Sequence, residues 1–222
     1  MARRSILLAA AMTALAGHAA AHDDPSHNQK TFEITPTTTV KMSGIDTITM
    51  RIGEEPSLMV EERRGRLKGL TVTSTAESLS ITSEETSWFS SRDYIVTLTL
   101  PALSVVDISG SFDADIAGVN AKAFAIDLAG SGDLLISGRC EQLTLDSAGS
   151  MDVDAKALIC QSVEIDSAGA ADMHVYAAES LNVEGAGATD VLFSGNPGKV
   201  TSDVAGLGKV TAAPASQSGT TL

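Results

Sequence analysis

The stretch IDLAGSGDLLISG (residues 126–138) is followed by LDSAGSMDVDAKA (145–157), IDSAGAADMHVYA (165–177) and VEGAGATDVLFSG (183–195). VDISGSFDADIAG (106–118) precedes it and SDVAGLGKVTAAP (202–214) closes the series. Aligned on their central glycines, the six copies place Gly110, Gly130, Gly149, Gly169, Gly187 and Gly206 at spacings of 20, 19, 20, 18 and 19 residues. A fixed period in this range marks a repeat architecture in which each unit buries its apolar face only against its neighbours.

Within each copy apolar residues alternate with polar ones, as in Leu143-Thr144-Leu145, Val163-Glu164-Ile165 and Leu181-Asn182-Val183. Period two is the pattern of a half-buried strand, and a glycine in each copy would weaken a helix by about 1 kcal/mol. The repeat therefore predicts an all-β fold, a right-handed parallel β-helix (β-solenoid) with coils of about 19–20 residues. Its handedness rests on the rule for parallel crossovers. The narrow core of such a coil suits Leu, Val, Ile and Ala, in keeping with an aromatic content of 4%.

Outward from the repeats the pattern loosens. Residues 32–105 keep the alternation at Thr47 to Ile52, Leu58 to Val60, Leu70 to Val72, Leu79 to Ile81 and Tyr94 to Leu100. Leu58/Val60, Leu79/Ile81 and Leu98/Leu100 stand 21 and 19 residues apart, so this half reads as degenerate coils of the same sheet, with a separate antiparallel cap as the competing reading. A single domain over 32–211 follows, its regular part spanning 106–211. Residues 22–31 read as a flexible arm and 212–222 as a disordered tail, being polar with little to bury.

Residues 1–21 have the layout of a secretory signal, with Arg3 and Arg4, an apolar run from Ile6 to Ala16 and Ala19-Ala20-Ala21 as the cleavage site. The alternative, a membrane anchor, needs about 20 apolar residues. Cleavage after Ala21 leaves 201 of 222 residues and takes the formal charge from −13 to −15. So acidic a chain disfavours nucleic acid and anionic lipid, whose phosphates call for clustered Lys and Arg. The expected location is periplasmic or secreted, without membrane insertion after cleavage.

The reiterated ISGSFDADI and LAGSGDLLI motifs, preceded by a strand-rich segment ending in LTLPALSVVDISGS, resemble the GIN-domain family, described as auto-transporter adhesin heads of unknown function. The resemblance covers about residues 32–210 and implies an envelope-associated bacterial β-solenoid. It carries no catalytic residue. Phe112 and Met151 depart from the pattern by replacing the second glycine of the first and third GSGD-type turns, so those turns need φ values open to ordinary residues.

Concentrated chemistry has two candidates. Three residues before each central glycine stand Asp107, Asp127, Asp146, Asp166, Glu184 and Asp203; three after stand Asp113, Asp133, Asp152, Asp172 and Asp190, and then Lys209. In a parallel stack these become columns of like charge at about 4.8 Å, repelling by about 1 kcal/mol per neighbouring pair in water. The expected role is local, each Asp accepting backbone N–H bonds of its own turn. A calcium-binding β-roll requires a nonapeptide repeat, so no metal site, cofactor or catalytic residue is assigned.

Cys140 and Cys160 occupy one position of consecutive coils, within disulfide reach if the product is exported, with buried free thiols as the alternative. Trp88-Phe89 are the chain's adjacent aromatics and read either as a contact lip or as a plug for the solenoid end. His22 and His27 lie in the arm, and His174 stands alone on a strand. The functional reading is an exported, non-enzymatic, adhesin-like module presenting an acidic face to a protein or polysaccharide of the cell envelope. A polysaccharide-active lyase or hydrolase is one alternative; an assembly module that self-associates through its solenoid ends is the other.

Overall fold

The computed structural model of the chain describes residues 28–63, 67, 69–83 and 93–214. The signal segment, Trp88, Phe89, His22 and His27 lie outside them. Among the described residues the fold is all-β, in strands β1 (Gln29–Phe32), β2 (Thr39–Ser43), β3 (Thr47–Ile52), β4 (Ser57–Glu62), β5 (Leu70–Ser74), β6 (Leu79–Ser83), β7 (Tyr94–Leu100), β8 (Val105–Ser194) and β9 (Lys199–Ala212). They form one mixed sheet in the order β1-β4-β7-β3-β8-β2-β6-β5, with β9 on β8. No described helix is long and apolar enough to cross a membrane.

β8 runs for 90 residues and folds back on itself repeat by repeat, turning at glycines of positive φ such as Gly130 and Gly149. A β-carbon at Gly149 would meet the Gly130 carbonyl, and one at Gly169 the Gly149 carbonyl. β9 carries the same register onward, in parallel: Leu181 opposes Val200, Glu184 opposes Asp203, and Gly187 opposes Gly206. The alternation read in the sequence sorts side chains as expected, with Leu143, Leu145, Val163, Ile165, Leu181 and Val183 buried and the residues between them facing outward.

The less regular half contains both arrangements that the sequence left open. β2 lies parallel to residues 105–109 of β8, and β3 parallel to 113–117, so residues 39–51 make a further coil against the first repeat. β6 lies parallel to β2, and β7 to β3, adding the next layer. β1, β4 and β5 are antiparallel additions. Stack order thus departs from chain order, because the 39–52 coil sits between 79–100 and the first repeat.

The spacing that joined Leu58/Val60 to Leu79/Ile81 is not a coil period. Leu58 opposes Leu98 and Val60 opposes Val96 in an antiparallel pair. Four residues connect β3 to β4, and four connect β5 to β6. Connections this short reverse the chain, whereas a parallel crossover takes a dozen or more residues. At the second reversal the Ser78 backbone N–H donates to Thr75 Oγ1 (3.0 Å), and the Thr75 N–H donates to the Ser78 carbonyl (3.0 Å). Strand order also starts earlier than the sequence suggests, since β1 begins at Gln29, inside the segment read as an arm.

The core is one continuous cluster from Val40 to Val191, with Tyr94 and Phe124 the largest fully buried side chains. Phe112 and Met151 belong to it, both 4% exposed. Neither takes a positive φ. They stand in the column that also holds Gly132 and Ala171, and the Phe112 ring lies within 3.0 Å of where a Gly132 β-carbon would be. Large and small residues alternate up this column, and the two departures from the repeat fill the space that the glycine leaves.

Candidate functional site

The corners of the repeats decide where the acidic residues go. Gly149 has φ +125°, a conformation that L side chains rarely adopt, and its neighbour's carbonyl occupies the place of a side chain, so only glycine fits. Gly44 is a seventh corner. Its backbone N–H donates to the Ser109 carbonyl (3.0 Å), and Gly110 packs against it. Sequence spacing misses this corner because 66 residues, carrying the antiparallel additions, separate Gly44 from Gly110. The local signal was present as Ser43-Gly44 flanked by the alternating Val40, Met42 and Ile48.

On the two faces meeting at this edge run the columns 107-127-146-166-184-203 and 113-133-152-172-190. They hold eleven of the chain's 28 acidic residues. The structure brings Asp113, Asp133, Asp152, Asp172 and Asp190 into line beside the glycine column, all exposed.

Cations stand at the ends of the columns. Lys41, opposite Asp107, pairs with it at 3.5 Å. Away from the columns, Arg51 grips Asp115 through two nitrogens at 3.1 and 2.7 Å. Lys209 ends the second column, its backbone N–H donating to Asp190 Oδ1 (3.0 Å). Exposed pairs such as Lys41–Asp107 contribute about 0–1 kcal/mol.

Among the described residues no column carboxylate accepts a backbone N–H from its own corner; the backbone bond to Asp190 comes from the next repeat. Asp146 shows the consequence of stacking. Burial, then the charge of Asp127 and a hydrogen bond between the two carboxyls, then Asp166 and Glu164, push its pKa above the usual aspartate value. Asp154 behaves in the opposite way: burial works against its charge, but the ammonium and backbone N–H of Lys156 hold its pKa below the usual value. No three described His, Cys, Asp or Glu side chains converge to hold a metal ion.

Beside the second column lies a shallow groove of about 450 Å³. One wall is Asp133, Asp152, Asp172 and Asp190; the other holds Leu135, His174 and Leu192. Leu135 is 49% exposed and Leu192 36%, which is unusual for leucine on a strand whose neighbours are buried. His174 is anchored by Ser194 Oγ at 2.9 Å from Nε2. The sequence presented His174 as isolated because its partner is 20 residues away, one repeat further up the stack. A second groove follows the first acidic column along a floor of small residues, including Ala129, Ala148 and Ala168.

Cys140 and Cys160 are bonded, their Cα atoms 4.5 Å apart. Inside the stack a buried polar chain joins Ser147, Ser167 and Thr189 through hydroxyl contacts of 3.1 and 3.3 Å. Nothing in the alternation announced it, since serine also serves turns.

Solved structures share this fold, two of them as follows. A "putative adhesin" from Bacteroides fragilis is 18% identical, with 83% of this chain and 96% of that one covered at a TM-score of 0.69. A "putative lipid binding protein" from Parabacteroides distasonis is 17% identical, with 84% and 96% covered at a TM-score of 0.54. At such identities the likeness is one of fold. No curated protein matches the sequence. The family model described as "Putative auto-transporter adhesin, head GIN domain" matches residues 37–197, and the chain belongs to that family.

Proposed function

We propose that this protein is an exported, non-enzymatic adhesin-like module of the bacterial envelope, a right-handed parallel β-solenoid whose acidic edge meets a cationic partner at the cell surface. The observation that carries the reading is the second acidic column. Four successive carboxylates, Asp133, Asp152, Asp172 and Asp190, stand in line across a groove from exposed Leu135 and Leu192. Apolar side chains beside a line of like charge offer both contact area and long-range attraction to a basic, partly apolar surface. The family membership supports the adhesin-like role and the location outside the cytoplasm.

The test uses the signal-cleaved chain and poly-lysine as the probe, with polyglutamate as control. Binding should weaken with salt and fall several-fold in the double variant Asp152→Asn/Asp172→Asn, and wild-type protein should coat bacterial cells better than the variant. Salt-independent binding, or equal binding of both proteins, would remove the acidic edge from the function. Depolymerisation of a polysaccharide by the purified protein would replace this reading with an enzymatic one.

A further inference from the structure

The stack ends on an open strand. β9 pairs with β8 along one edge, and among the described residues its other edge pairs with nothing. Its inward positions Val200, Ser202 and Val210 are exposed or half-buried, whereas their partners Leu181, Val183 and Val191 on β8 are buried. Val200 is 44% exposed and Leu207 82%. An uncovered edge of this length is a template for another strand.

Two residues distinguish this last repeat from those before it. Where Leu207 stands, the earlier copies have Ser111, Ser131, Ser150, Ala170 and Ala188. Where Lys209 stands, they have five aspartates. A lysine alone could end the acidic column or guard the edge, but neither role calls for the exposed leucine two residues before it.

We infer that β9 docks on β9 of a second copy of this chain, antiparallel, about a twofold axis through Gly206. Residues equally far from Gly206 on either side then face each other. Asp203 and Lys209 are each three residues away, so Asp203 of each copy opposes Lys209 of the other, twice per dimer. The same axis sets Leu207 against Ala205. It keeps inward-facing residues opposite inward-facing ones, with Val204 meeting Gly208 and Val210 meeting Ser202, so the two interiors run together and each larger side chain meets a smaller one. Were residue 209 aspartate like its predecessors, the axis would oppose like charges directly, a destabilising arrangement across paired strands. The isologous geometry closes at two copies, doubling the number of acidic edges available to a surface.

Sedimentation of the signal-cleaved chain over the micromolar range tests this. Wild type is expected to dimerise. Asp203→Lys and Lys209→Asp should each raise the dissociation constant at least about tenfold. The double variant should dimerise again, and an equimolar mixture of the two single variants should form a heterodimer that neither forms alone. Circular dichroism of each variant checks that the stack is intact. A wild-type monomer throughout the range, association that grows past the dimer, or single variants that dimerise like wild type would each overturn the inference. Poly-lysine binding by the wild type, measured at concentrations low enough to keep it monomeric, separates this result from the fate of the acidic edge.

Discussion

Cys140 is bonded to Cys160, 20 positions further along the chain, at the same position of two consecutive repeats. The bond stitches two neighbouring repeats together. Closing a loop of this size stabilises by about 3 kcal/mol in the chain-entropy account.

The double variant Cys140→Ala/Cys160→Ala should therefore melt about 6–12 °C below wild type. Alkylation under denaturing conditions should find no free thiol in protein from the periplasm. Two alkylated thiols by mass spectrometry would show the bond absent from the exported molecule.

The register of the repeats predicts a contrast between adjacent residues. Leu145 is fully buried and Thr144 lies on the outward column. Leu145→Ala should cost about 2–5 kcal/mol, and Thr144→Ala well under half of that. Equal small losses in chemical denaturation would reject the register.

The corner predicts a second contrast. Gly149→Ala puts a methyl group into the Gly130 carbonyl at a positive φ, whereas Ser150→Ala changes an exposed side chain. The first should lose at least about 1–3 kcal/mol, the second about 0.5 kcal/mol or less. Because each corner supports the next, the loss should appear as cooperative melting at lower temperature.

Asp146 sets a pH dependence with a definite sign. Its pKa in the folded state lies above the ordinary 3.8, so between the two values the folded protein holds a proton that the unfolded chain has lost. Stability from this residue is present in acid and lost as pH rises through the folded pKa. Asp146→Asn should then melt at or above the wild-type temperature at neutral pH, with its advantage shrinking in acid. Asp154 works in the other direction, its contribution present above 3.8 and lost as pH falls through its lowered value. A melting temperature for Asp146→Asn clearly below wild type at pH 7 would mean that the carboxylate supports its turn after all.

Calcium tests the columns as a whole. With no convergent set of three ligands among the described residues, millimolar calcium should raise the melting temperature by only a few degrees through diffuse screening. A rise above about 10 °C would require a discrete site worth a few kcal/mol.

What the amino-acid sequence determined by itself is the periodic half of the molecule. Period-two alternation settles which side of each strand is buried, because neighbouring side chains must point to opposite faces. A period of about 19 residues puts Gly130 on Gly110 and Cys160 beside Cys140, because stacked repeats share one cross-section. Tertiary structure decided what has no period. Gly44 joins the corner column from 66 residues away, and the 39–52 coil slips between strands that follow it in the chain, since strand pairing answers to complementary faces and free edges rather than to chain order. It also decided the chemistry of the aspartates. The sequence placed them beside the glycines, but whether each bonds its own turn or confronts the carboxylate of the next repeat depends on a few ångströms of stacking geometry. That geometry is why Asp146 answers to Asp127.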